Sequence, residues 1–230
     1  MKPLLHTLAF VLSAAPLLAQ AALIDITVTG TVYNSYDMTG NIFGRGAGAG
    51  TVFGQIATLT FTYDTATAPG DTYGGTYPYY ASYYGGIGWV ESSATVGGNA
   101  VSNVATSGNY SNSAGIDLAD YLPNVGSYDE IVGDYRIQDY ENSNGSNGNS
   151  FYRYAYSENY FYIHDYFNDF LNGVSLDQTF SVTVDGSGNN WGTASIWQYL
   201  DSYECLDQRC SAITTTEYEY GYASIDQLTI

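Results

Sequence analysis

Cationic side chains are almost missing from this chain of 230 residues. One lysine, Lys2, and four arginines, Arg45, Arg136, Arg153 and Arg209, stand against 23 Asp and Glu, giving a formal charge of −18 at pH 7. Phosphate binding depends on Lys and Arg displacing counterions, so anionic lipid is a poor partner for such a surface and nucleic acid is not expected as one. Ion pairs cannot hold the fold together either; most carboxylates must be solvated or meet external cations.

Histidine is scarcer still, with only His6 and His164. Any Ser-His-Asp or Cys-His arrangement in the body of the chain has to be built around His164. Its neighbour Asp165 points to the opposite face if the segment is a strand. Neither a G-x-S-x-G elbow nor H-E-x-x-H occurs. No catalytic residue is assigned, and a protein without enzymatic activity is the expectation. A glycosidase needs only two carboxylates, so a secreted glycan-active hydrolase is the rival reading, with no pair singled out by the sequence.

There are two cysteines, Cys205 and Cys210. Their spacing suits a disulfide closing the loop "CLDQRC" in an oxidising compartment. A redox pair or zinc site would need the C-x-x-C spacing or further ligands. No run approaches the roughly 20 apolar residues of a membrane span. The first 21 residues, with Lys2, the apolar run Leu8 to Leu18 and the small residues Ala19 and Ala21, have the form of a Sec-type signal peptide. Residues 22–230 then make one domain, delivered to the cell envelope or the exterior without a membrane span.

Strand patterning is what the chain has in abundance. "IDITVTGTV" puts Ile24, Ile26, Val28 and Val32 on one face, and "QIATLTFTYD" does the same with Ala57, Leu59, Phe61 and Tyr63. "WVESSATV" and "AVSNVAT" read as a hairpin turning at Gly97, Gly98 and Asn99. "DEIVGDYRIQDY", "SFYRYAYS", "NYFYIHDYF", "QTFSVTV", "TASIWQYLDSY", "TTTEYEYGY" and "SIDQLTI" read as further strands between Gly, Asn and Ser clusters. Helix is expected only as a turn or two near Leu118 to Leu122 and Phe167 to Leu171. The expected class is all-β, an antiparallel β-sandwich of jelly-roll type.

Three further stretches bear on function. "FGRGAGAGTVFGQ" has alternating glycines without the spacing of a dinucleotide fingerprint or a Walker lysine, so it is a flexible connection between strands. "DGSGNN" places Asp185, Ser187 and Asn189 at alternating positions like the start of a calcium loop, but Asn190 stands where an EF-hand has glycine and Ile196 where it has an acid. Calcium is the cofactor such a loop would take; a β-turn is the competing reading. Tyrosine, 25 in all, is the most distinctive residue. Tyr152, Tyr154 and Tyr156, and likewise Tyr218, Tyr220 and Tyr222, share a face of their strands, where they serve packing or stack on sugar rings and partner proteins.

The runs "TVTGTV", "IFG", "GQIATLTFTYDT", "LDQTFSVTVDGSG", "GTASIWQYL" and "ASIDQLTI" resemble the secreted bacterial β-sandwich proteins that carry a PEP-CTERM sorting signal. The resemblance covers the two ends of the domain and hardly touches residues 73–172. The anchor of that group does not occur in these 230 residues. What the resemblance implies is export to the envelope or exopolysaccharide matrix, with exopolysaccharide or other surface proteins as partners and no catalytic residue carried over. A subunit of a surface assembly, joined through edge strands, is the third reading.

Overall fold

A computed structural model describes residues 23–102, 112–121, 128–144, 149–166, 170–206 and 213–230. Among these residues eleven strands form one sheet: β1 (Leu23–Asp37), β2 (Gly48–Ala49), β3 (Ile56–Asp64), β4 (Tyr80–Gly85), β5 (Val90–Val96), β6 (Asn99–Ala100), β7 (Ser113–Tyr121), β8 (Tyr128–Asn144), β9 (Ser150–Asp165), β10 (Asn190–Cys205) and β11 (Ile213–Thr229). Their order is β4-β7-β8-β9-β10-β11-β1-β3-β5-β6, with β2 paired to β1. Every named pairing is antiparallel. The chain is thus all-β and antiparallel, as its alternation requires. Among the described residues no helix is long and apolar enough to cross a membrane.

The sheet folds over so that β3 and β5 face β9. Phe61 of β3 meets Phe161 of β9 edge-on at 5.0 Å, and the Asn159 amide of β9 donates to Ser92 Oγ of β5 at 2.9 Å. Strand β1 makes the turn between layers: residues from Leu23 to Thr31 pair with β3, and residues from Thr29 to Asp37 pair with β11. Register shifts on the β11 side, between Thr29 and Thr31 and between Val32 and Asn34, supply the local bend that bulges give a strand. The inward positions read from alternation are the core: Ile26, Val28, Val32, Ala57, Leu59, Phe61 and Tyr63 are all buried.

The structure corrects several local expectations. Leu118 lies within strand β7, not in a helical turn, because its alternation with Ile116 feeds the core. Leu122 and residues 167–169 lie outside the described residues, while Phe170 and Leu171 form an irregular segment held by the Asp129 carboxylate. "QTFSVTV" is no regular strand; it touches the sheet through single backbone bonds, Val184 N–H to Leu228 O and Ile230 N–H to Val182 O. Two pairs of expected strands fuse into the long β9 and β11.

The glycine stretch does connect two strands, and Gly44, Gly46, Gly48, Gly50 and Gly54 all adopt the positive φ that glycine tolerates. It is not a free tether, however. Ile42, Phe43 and Val52 are buried, and β2 within it pairs with β1. At Gly97 and Gly98 both φ values are positive, the geometry of a tight hairpin turn.

Candidate functional site

Alternation sorts β9 into two sets. Ala155, Ser157, Phe161 and Ile163 point inward, while Tyr152, Tyr154, Tyr156, Glu158, Tyr160 and Tyr162 occupy the outer face, half-buried against one another. Antiparallel pairing lines these outer residues up with their counterparts in rows across the sheet. Tyr140, Tyr154, Asp201 and Tyr218 form one row, and Gln138, Tyr156, Tyr199 and Tyr220 the next. A third row runs Arg136, Glu158, Trp197, Tyr222 and Tyr36, and Tyr152 pairs with Tyr203. Directly opposed residues in such pairs are near enough for their rings to touch.

They do touch. Tyr152 stacks on Tyr203 at 4.8 Å and meets Tyr140 at 5.4 Å. Tyr154 lies 5.9 Å from Tyr199, which meets Tyr218 at 6.0 Å and Tyr220 at 6.5 Å. Trp197 lies 4.9 Å from Tyr220 and 5.5 Å from Tyr222, and Tyr36 closes the field 5.5 Å from Tyr220. These stacked, tilted and edge-on geometries suit the quadrupoles of the rings. Burial, followed by neighbouring acids or phenols, raises the pKa of Tyr152, Tyr199 and Tyr220, so these phenols stay neutral donors and acceptors at physiological pH.

The six tyrosines singled out in the sequence therefore belong to one surface, in place of two separate ladders. Trp197, Tyr199, Asp201 and Tyr203 are missing from the sequence assignment although they alternate in "IWQYLDSY" with the same period. That period was the available signal. Which strand lies between the two ladders is a matter of pairing.

Beside this field the outer face is charged. Arg136 binds Glu158 at 2.7 Å and Asp134 at 3.2 Å. Burial pushes the Asp134 carboxyl up to about 6; Arg136 opposes that rise, and Glu158 and Asp117 add to it. A carboxyl with a raised folded-state pKa favours the folded chain below its ordinary value of 3.8, and this contribution is lost as pH rises through about 6. Replacing Asp134 with Asn is expected to reduce that decline and to raise the melting temperature at pH 7.5 by about 3 °C. That figure takes about 1 kcal/mol after allowance for solvent screening. Melting curves between pH 4 and pH 8 check it, and a variant that melts lower than the parent at pH 7.5 contradicts it.

Farther along lies the one histidine of the described residues. His164 is buried; its Nδ1 stands 3.2 Å from the Tyr162 hydroxyl and 3.4 Å from Glu130, and Tyr128 and Tyr166 roof the ring at 4.6 and 4.3 Å. His164 is thus enclosed by tyrosines. Asp165 points inward as alternation requires and accepts from the Asn190 amide at 2.5 Å.

In the candidate calcium loop, the Asp185 carboxylate accepts the Ser187 N–H at 2.8 Å, and that bond holds its pKa below the ordinary value. The Asp185 N–H donates to Asn190 Oδ1 at 3.2 Å, so the loop is closed as a turn. Among the described residues no group of three or more His, Cys, Asp or Glu is placed to hold a metal ion. Cys205 is buried at the end of β10, while Cys210 and residues 1–21, the expected signal peptide, lie outside the described residues.

A cleft of about 230 Å³ also opens between the layers, lined by Ser92, Ser157, Asn159, Gln198 and Tyr135. Its polar groups bond mainly to one another: Ser157 donates to Gln198 at 2.5 Å and Asn159 to Ser92. The aromatic face spans five adjacent strands, β8 to β1. Comparison with known proteins finds no matching family, no curated relative and no similar solved structure.

Proposed function

We propose that this chain is an exported, non-catalytic protein of the cell envelope or extracellular matrix that holds polysaccharide on the aromatic outer face of its sheet. The observation that carries the proposal is the aromatic field on five adjacent strands: rings from Tyr154 on β9 to Tyr36 on β1 lie 4.9 to 6.5 Å from their neighbours, and a second group, Tyr140, Tyr152 and Tyr203, lies in the adjoining register positions. A flat, hydroxyl-bearing aromatic surface presents apolar faces to the C–H sides of sugar rings and phenols to their hydroxyls. Five adjacent strands spaced about 4.8 Å apart make the field roughly 19 Å across, enough for an extended chain to lie on it. Residence in an oxidising compartment, a Cys205–Cys210 bridge and kinship with the PEP-CTERM-sorted proteins belong to the same reading.

The experiment is retention of the protein on a panel of insoluble polysaccharides. The parent chain is expected to be retained by at least one member. Changing Tyr199 and Tyr220 together to alanine is expected to weaken retention about tenfold, corresponding to about 1.4 kcal/mol over two stacked rings. The two face outward, so the variant should keep its cooperative melt. Undiminished retention of the folded double variant removes the platform.

A further inference from the structure

The aromatic field has an acid at its heart. Asp201 sits between Tyr154 of β9 and Tyr218 of β11 in the same row. Asp201 also lies near enough to Tyr152 and Tyr199 to add to the effect of burial on their phenols. It has no ion-pair partner among the described residues; the arginine nearest in register, Arg153, points to the other face and binds Asp139 at 2.7 Å. The surrounding rings meet at Tyr199, 5.9 Å from Tyr154 and 6.0 Å from Tyr218, and Tyr218 is 43% exposed, so the group opens to solvent.

A carboxylate set among tyrosines is suited to one kind of guest. The rings present negative quadrupoles and the acid a full negative charge, and both attract a cation that sheds part of its water. A neutral sugar hydroxyl gains only the hydrogen bond, and a uronate meets repulsion from Asp201 and from a chain of net charge −18. Resting on the polysaccharide reading, we infer that Asp201 with Tyr154, Tyr199 and Tyr218 forms an ammonium subsite. The polymer held on this face is then an amino-sugar chain carrying free, protonated amines. The extended aromatic rows on both sides of the subsite favour a chain of pyranose rings over a lysine-rich peptide, whose flexible stems need a single cage and not a platform.

The test uses the folded chain, its Asp201→Asn variant and the Tyr199→Ala/Tyr220→Ala double variant. Each is titrated in mildly acidic buffer with three oligosaccharides: an N-acetylhexosamine oligomer, the same oligomer without its acetyl groups, and a uronic acid oligomer. The de-acetylated oligomer is expected to bind the parent about tenfold more tightly than the acetylated one at low salt, as a cation over rings beside an acid would give. High salt and Asp201→Asn should each erase that gap. Equal affinity for the two hexosamine oligomers, or a gap that survives in Asp201→Asn, overturns the subsite and leaves the platform standing. Failure of all three oligomers to bind overturns the platform itself. An oligolysine of equal charge that binds the parent more tightly than the amino-sugar oligomer also overturns the inference and assigns the face to a basic peptide. Asp201 is half-buried on the outer face, and an unchanged melt of the Asn variant confirms that binding alone is read.

Discussion

Replacing Phe161 with alanine is expected to lower the unfolding free energy by about 4 kcal/mol, the largest loss from any single truncation considered for this chain. The ring is fully buried on β9 and reaches across the interior to Phe61 of β3, 5.0 Å away and edge-on, so it binds the two layers of the folded sheet together. It also lies against its own neighbouring strand. A Cβ added at Gly133 of β8, directly opposite in the register, would stand 2.1 Å from the Phe161 ring. Glycine is needed there for the space it leaves.

Two further variants test the contact from the other side. Gly133→Ala is expected to destabilise by about 2 kcal/mol through overpacking. In the double variant the added methyl occupies part of the space vacated by the ring, so the two losses should fall short of additive. Urea unfolding with an unchanged m-value reads all three changes. A loss below about 1 kcal/mol in Phe161→Ala would mean that the layers are held by something other than this contact.

The second large effect is expected at Asp37, fully buried at the end of β1. Its Oδ1 accepts the Gly40 N–H at 2.7 Å and its Oδ2 accepts the Phe43 N–H at 3.0 Å. These bonds bend the chain back so that Ile42 and Phe43 enter the core. Without them the start of the glycine-rich stretch loses its tie to β1 and is left with the pairing of β2 and the burial of Ile42, Phe43 and Val52, against the large backbone freedom its glycines lose on folding.

Asp37→Ala strands the buried Phe43 N–H and the part-buried Gly40 N–H at once, and about 3 kcal/mol of stability is expected to go with them. Asp37→Asn keeps one acceptor oxygen and should lose about half as much. Limited proteolysis provides an independent reading: the alanine variant should become cleavable within residues 40–55 under conditions that leave the parent intact. An alanine variant that melts with the parent and resists cleavage would show that Ile42, Phe43 and Val52 hold the loop unaided.

How far these features were legible in the sequence depends on their range. The inward set on β3, Ala57, Leu59, Phe61 and Tyr63, could be read residue by residue, because a strand with one buried face admits no other phase. The tyrosine ladders on β9 and β11 were legible for the same reason. The segment Gln178 to Val184 had the pattern of a strand but lies outside the regular sheet, attached to the end of β11 by isolated bonds. Alternation states which side of a strand is apolar and is silent on whether a partner strand is there to complete it. Leu118 had the opposite fate: a short apolar stretch fits a helical turn as well as a strand, and pairing between β7 and β8 decided between them.

The candidate site shows the same division. Asp201 in "YLDSY" is one acid among 23, and nothing local distinguishes it. It gains its surroundings only because β10 lies between β9 and β11, which sets Tyr154 on one side and Tyr218 on the other. Tyr36 joins the field because β1 pairs with β11, segments from opposite ends of the chain.

From the sequence by itself came the all-β class, the acidic exterior and the face each side chain occupies within its strand. All three follow from composition and from the two-residue repeat of extended backbone, which every strand carries within itself. The tertiary structure alone decided which strands are neighbours, and so which rings touch and which carboxylate lies among them. Strand pairing is made by backbone groups that every residue shares, so its choice depends on loop closure and on packing of the whole interior.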